Sequence, residues 1–199
     1  MRNIIFDLGN VLVNVDFKKF KQGLLSDGIN SRKFENLFAE KLLRDKLESG
    51  QITSKKFINY VTEELDNSIT AERFIFHFNS MFTENIQMKK FLIKLHRKQR
   101  YKLILLSNTN PIHFDYIKSK FNFMNLFNYF ALSYKLRMLK PDIRIYNKVR
   151  MLYNLKPEES LFIDDLEENC TAAARAGMNV INYTEFRKFS NEINKYITV

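Results

Sequence analysis

A chain of 199 residues holds one domain of ordinary size, or one core with a modest insertion. Apolar residues make up 45% and charged residues 27%, which excludes a disordered or fibrous chain and allows a real core. The net charge of +10 raises nucleic acid, anionic membrane and small anions as partners, but the basic residues are dispersed. Their densest group, Lys94, Arg97, Lys98, Arg100 and Lys102, falls at the end of a predicted helix, where cations suit the negative end of the dipole.

In chain order, Asn3 to Phe6 is a short apolar run ending in Asp7, the pattern of a buried strand. Val11 to Val15 is apolar but for Asn14 and predicts a small flap or hairpin. From Asp16 to about Phe82 the pattern turns helical. Asp16, Ser31, Thr53 and Thr70 stand at N-cap positions, and Phe34, Leu37, Phe38 and Leu42 follow three-four spacing, so a block of about four helices is expected. After Thr83, strands alternate with helices. Ile86–Lys98 is an amphipathic helix and Leu103–Leu106 a buried parallel strand. Pro111 opens a helix, Tyr129–Ser133 is a strand, and Pro141 opens the next helix. Leu161–Ile163 is a strand, Glu168–Ala176 a helix stopped by Gly177, Val180–Tyr183 a last strand, and a basic helix closes the chain. Alternation of this kind implies an α/β fold with a doubly wound, Rossmann-like parallel sheet. The expected organisation is a core of residues 1–15 and 83–199 with a small α-helical cap, 16–82, inserted after the first strand.

Cys170 is the only cysteine, so no internal disulfide forms, and a reducing, cytoplasmic setting is expected. The opening apolar run is broken at Asp7, unlike a signal peptide, and no stretch approaches the ~18 apolar residues of a membrane span.

Ligands of open parallel sheets bind beyond the carboxyl ends of the strands. Asp7 follows the first strand, Ser107-Asn108-Thr109-Asn110 the second, and Asp164-Asp165 the fourth, while Lys140 precedes the Pro141 helix. Carboxylates, a hydroxyl and a lysine at one sheet edge form the inventory of metal-assisted phosphoryl transfer: one carboxylate attacks, a divalent cation shields charge, and the lysine and hydroxyl hold phosphate oxygens. Five glycines without a Walker or GxGxxG arrangement exclude the common nucleotide loops. His77, His96 and His113 lie apart on predicted helices without zinc spacing, and Cys170 reads as a small buried residue.

The runs FDLGNVLV, LLSNTN, LKPDIRIY and FIDDLEENCTAAARAGM, in this order, resemble the four motifs of the haloacid dehalogenase superfamily, in particular its helical-capped bacterial sugar-phosphatase branch. The resemblance implies Mg²⁺ as cofactor and a small phosphorylated substrate, probed through an aspartyl-phosphate, with neither nucleic acid nor membrane as partner. It makes Asp7 the nucleophile and gives the phosphate to Ser107, the Asn108 backbone N–H and Lys140. It assigns the metal to Asp7, the Gly9 carbonyl and Asp165, which lies twelve residues before Gly177, with Asp164 supporting these ligands from behind or serving as the alternative ligand. Asn169 takes the place of a further family acid. Glu48, in the cap stretch Glu48-Ser49-Gly50-Gln51-Ile52-Thr53, is the substrate-contacting candidate, set against a plain turn with Gly50 as C-cap and Thr53 as the next N-cap.

Two departures stand out. Most superfamily phosphatases carry an acid two residues after the nucleophile; here it is Gly9. That predicts either a preference for leaving groups that bear negative charge well, or a catalytically silenced phospholigand-binding protein. Asp16 is the first substitute acid to consider. Arg137 stands three residues before the lysine, where the branch often has Gly.

Overall fold

The computed structural model describes residues 1–39 and 41–197. The strands β1 (Asn3–Phe6) and β2 (Val13–Val15) are followed by five helices: α1 (Phe17–Ser26), α2 (Ser31–Ala39), α3 (Lys41–Glu48), α4 (Ser54–Glu64) and α5 (Ala71–Ser80). Then come β3 (Phe82–Glu84), α6 (Ile86–Lys98), β4 (Lys102–Ser107), α7 (Pro111–Lys120), β5 (Tyr129–Leu132), α8 (Ser133–Leu136) and α9 (Ile143–Leu152). The chain ends with β6 (Ser160–Asp164), α10 (Glu167–Arg175), β7 (Asn179–Asn182) and α11 (Phe186–Glu192).

The main sheet has five parallel strands in the order β5-β4-β1-β6-β7. Because side chains alternate across a strand, each strand feeds two cores. Ile4, Phe6, Leu103, Leu105, Leu161 and Ile163 point to one face, where they meet α6, α7 and α11 through Phe91, Leu92, Phe114, Ile117 and Phe189. Ile5, Ile104, Leu106 and Phe162 point to the other, against Ile145, Tyr146, Val149 and Ala173 of α9 and α10. This double burial explains why the strands read as continuous apolar runs. It confirms the Rossmann-like doubly wound fold class.

β1 is central. The chain leaves it towards β4 and β5 and later returns to its other side through β6, so the crevice between β1 and β6 is the switch point where such sheets bind ligands.

The helical block departs from expectation in detail. Among the described residues it comprises the helical segments α1 to α5. Of the residues expected on its buried face, Phe34 and Leu37 are buried and Leu42 is exposed. Ser31 is not the cap of α2; the Asn30 side chain accepts the N–H groups of Arg32 and Lys33 instead. Asp16, Thr53 and Thr70 do cap their helices. Phe82–Glu84 is a strand that pairs antiparallel with β2, so a two-stranded ribbon forms the feet of the helical block. Pro141 lies ahead of α9, whose cap is Asp142, and the Lys140–Pro141 bond is cis. α8, read as the end of a strand and a loop in the sequence, is one short turn of helix.

Candidate active site

Asp7 leaves the end of β1 and is almost fully buried. Its backbone N–H still donates to Ile163 of β6, so the sheet fixes its position up to the last residue. Across the crevice Asp164 ends β6 with no exposure at all. Lys140 enters from the loop after α8 and places Nζ 2.6 Å from Asp7 Oδ1 and 2.6 Å from Asp164 Oδ2. Asp164 is further held by the Leu166 N–H at 2.9 Å and by the Asn169 side-chain amide at 2.9 and 3.1 Å. Tyr146, wholly buried, fixes Asn169 in turn by donating to its carbonyl at 2.9 Å. Asn169 is thus an amide donor to the acid, the opposite polarity to a carboxylate at that position.

Burial would push the Lys140 ammonium down, but the two carboxylates outweigh it and hold the group above the ordinary lysine value. Burial pushes the Asp7 carboxyl up to about 7, with Lys140 pulling back and Asp164 adding to the rise. Asp165 is half-buried and also raised, chiefly by burial, while the Asn10 amide 3.1 Å from its Oδ2 opposes the rise. Asp7, Asp164 and Asp165 bring one carboxylate oxygen each within 4.8 Å of one another. Hard carboxylate oxygens at this spacing beside the Gly9 backbone suit Mg²⁺ rather than a soft transition metal.

The other side of the crevice is built by β4 and the loop beyond it. Ser107 is buried at the strand end, and Asn108 follows, half-buried. The Asn108 side chain clamps the lysine loop: Oδ1 accepts the Lys140 N–H at 2.9 Å and Nδ2 donates to the Lys140 carbonyl at 3.0 Å. The N-terminus of α7 has less to offer an anion than its position suggests. Pro111 lacks an N–H, Asn110 already caps His113 at 3.1 Å, and the Thr109 N–H donates to Ser133 Oγ at 2.9 Å.

Above these groups lies a cavity of about 490 Å³, the size of a small-ligand site. Gly9, Ser107, Asn108 and Thr109 form its floor, and Phe17, Phe38, Phe57 and Phe78 part of its wall. Lys41, Arg44 and Glu48 of α3 are its polar groups on the helical side. The structure therefore brings Glu48 into the same cavity as Ser107, Asn108 and Thr109. Gly50 has φ of +68° and ends α3, and Thr53 caps α4, so the plain-turn reading of that stretch holds as well.

Other sequence candidates lie elsewhere. Arg137 is exposed and ends α8 at φ of +56°, a left-handed conformation that glycine adopts most readily. Asp16 is exposed and occupied as the cap of α1, accepting the Lys19 N–H at 3.1 Å. Cys170 is buried, and burial pushes its thiol up to about 11. Lys94, Arg97 and Lys98 are exposed on the last turns of α6, and Lys102 starts β4, at the opposite edge of the sheet from the site.

Two residues had gone unnoticed. Asn10, in a left-handed conformation at φ of +52°, orients Asp165 and accepts the Val15 N–H at 3.2 Å. Ser133 ties the helical block to the phosphate loop. Asparagine after Gly in the first motif was the available signal for Asn10, since it tolerates left-handed backbone; Ser133 had none.

An open parallel α/β sheet thus carries an acid, a lysine and two further acids at its switch point. Residues 1–177 match the haloacid dehalogenase-like hydrolase family, and the chain belongs to that family. Its enzyme class is the phosphoric monoester hydrolases. A D-ribitol-5-phosphate phosphatase of Bacteroides thetaiotaomicron is 26% identical over 176 residues, 85% of each chain. A family enzyme of the same organism, solved with magnesium and inorganic phosphate, superposes with a TM-score of 0.84 at 27% identity, covering 92% of this chain and 94% of that one. A HAD-like hydrolase of Porphyromonas gingivalis gives 0.82 at 25% identity, with 98% of both chains covered. Among the described residues no helix is long and apolar enough to cross a membrane.

Proposed function

We propose that the chain hydrolyses a small phosphorylated metabolite, a sugar or polyol phosphate, through an aspartyl-phosphate on Asp7, with residues 16–82 acting as a cap over the site. The observation that carries this reading is Lys140 Nζ set 2.6 Å from both Asp7 and Asp164 at the joined ends of β1 and β6. That arrangement holds an acid poised for in-line attack while a buried cation faces the oxygens that gain charge. Ser107 and the Asn108 N–H hold the phosphate, and the Asn108 side chain keeps Lys140 in register. Asp7, Asp164 or Asp165, and the Gly9 carbonyl would hold Mg²⁺, which supplies charge neutralisation at the phosphate. The 26% identical D-ribitol-5-phosphate phosphatase supports the substrate class, and Lys41, Arg44 and Glu48 are the groups that polyol hydroxyls would meet on the cap side. Gly9 is the one observation that favours a silent phospholigand-binding protein instead.

A screen of phosphorylated metabolites with and without Mg²⁺ separates the two. Turnover that requires Mg²⁺ is expected. Asp7→Asn, folded as the parent, is expected to lose at least ~10³-fold in activity. Near-normal turnover in that variant would end the nucleophile assignment.

A further inference from the structure

In-line attack by Asp7 sends the leaving oxygen out on the opposite side of phosphorus, into the cavity and towards the cap. The alkoxide needs a proton there, and water must later lose one on the same side. Gly9 has no side chain to supply it. Its backbone does not require glycine, since a Cβ would meet nothing closer than Val15 Cγ2 at 3.5 Å, so the loop tolerates a side chain that it lacks. Lys140 is locked between two acids, Asp165 faces Asn10, and Asp16 caps a helix. His113 lines the cavity, but burial pushes its imidazole down to about 3, and the neutral ring is a poor acid.

Glu48 is placed differently. It lines the cavity together with Gly9, Ser107 and Asn108. Its main chain is pinned to the core. Ser133 Oγ lies 2.6 Å from the Glu48 carbonyl and accepts the Thr109 N–H at 2.9 Å, so one hydroxyl joins the end of α3 to the phosphate loop. Two residues on, Gly50 sits so close to α8 that a Cβ would lie 2.3 Å from the Tyr134 carbonyl. The turn that carries Glu48 is thereby held over the loop that binds phosphate.

We propose that Glu48 is the general acid and base of this site, taking the part that Gly9 cannot play; the proposal rests on the phosphatase reading above. As Asp7 forms its bond to phosphorus and the ester P–O bond breaks, the Glu48 carboxyl gives its proton to the leaving oxygen and an alcohol departs. Water then attacks phosphorus, the Asp7–phosphorus bond breaks, and Glu48 takes the water proton, which restores the acid. Burial pushes the Glu48 carboxyl up to about 7; Arg44 pulls it down, Asp45 pushes it up, and Lys140 and Lys41 pull it down. On α8, packed against α3, burial holds the Tyr134 phenol near about 12, so it stays neutral. An acid near neutrality can both give and take the proton at working pH.

The test compares benzyl phosphate and p-nitrophenyl phosphate, similar in shape but unlike in leaving group, with the full chain and Mg²⁺. In Glu48→Gln, kcat/KM for benzyl phosphate is expected to fall by about 10²–10⁴-fold and for p-nitrophenyl phosphate by less than about tenfold. A burst of p-nitrophenol should appear, because the intermediate loses its base. In the parent, the benzyl-to-nitrophenyl ratio of kcat/KM should decline as pH rises through about 7, and in Glu48→Gln it should be flat. Equal losses on both substrates, or a rise in KM alone, would make Glu48 a substrate contact only and overturn the proposal, as would a pH-independent ratio in the parent. Failure of the parent to hydrolyse either ester would overturn the phosphatase reading itself, and this proposal with it.

Discussion

The sheet edge and the helical block are built on opposite principles. At the edge polar groups hold one another in place: Lys140 by two acids and the Asn108 clamp, Asp164 by the Leu166 N–H and the Asn169 amide, Asn169 by Tyr146. In the block, Phe20 meets Phe38, Phe78, Phe34 and Phe74 at ring-centroid distances of 5.2 to 5.9 Å, and apolar packing dominates. Ring packing tolerates small shifts; a buried ionic network does not. The proposed nucleophile and its lysine therefore sit on the rigid edge, while the cavity wall on the helical side is made of adaptable contacts. Glu48 and Ser133 stand where the two regimes join.

The sharpest way to break this contrast is Lys140→Ala. It leaves two acids facing each other in the interior, and removing one partner of a buried ion pair typically costs about 3–5 kcal/mol. Turnover should collapse together with stability, measured by thermal melting and by kcat. Lys98→Ala, on the exposed last turn of α6, is expected to change neither. Equal damage from both would mean that general basicity, rather than a built site, binds the substrate.

The two neighbouring acids divide the same contrast more finely. Asp164 is wholly buried and accepts from Lys140, Leu166 and Asn169, whereas Asp165 is half-buried and accepts from Asn10. Asp165→Ala should raise the Mg²⁺ concentration needed for half-maximal activity with little loss of melting temperature. Asp164→Ala should lower the melting temperature first, by leaving Lys140 and Asn169 short of an acceptor. The Asp165 assignment is reversed if only Asp164→Ala shifts the Mg²⁺ requirement.

Much of the edge was legible in the sequence because strand ends are local: an apolar run followed by Asp7, Ser107 or Asp164 places the side chain without knowledge of the rest. Asp16, Thr53 and Thr70 were legible as caps by the same local logic, whereas the caps Asn30, Asn85, Asn110 and Asp142 were not. What escaped was contact between distant elements. Nothing near Ser133 tells that its hydroxyl meets Glu48 and Thr109, and nothing near Asn10 tells that its amide meets Asp165. The pairing of Phe82–Glu84 with β2 escaped for the same reason, since a three-residue strand has no period of its own.

The smallest expected effects lie in the block, at a polar knot between α1 and α5. Asp27 receives Arg73 Nε at 2.5 Å and lies 2.7 Å from His77 Nε2, and it is held well below the ordinary carboxylate range, first by the Arg73 hydrogen bond and then by His77. Gly23 lets α1 come up against this knot: a Cβ there would lie 2.2 Å from His77 Nδ1. Gly23→Ala gains about 1 kcal/mol of helix propensity but overpacks at about 1–3 kcal/mol, so a net loss of melting temperature is expected, with activity largely kept. Asp27→Asn tests the charge. A carboxyl whose folded value is depressed stabilises the protein above its unfolded value of about 4, and loses that contribution as pH falls below it towards the folded value. The gap in melting temperature between parent and Asp27→Asn should therefore be full at pH 7 and shrink at pH 3. A gap of the same size at both would mean that the knot holds by shape and neutral hydrogen bonds rather than by charge.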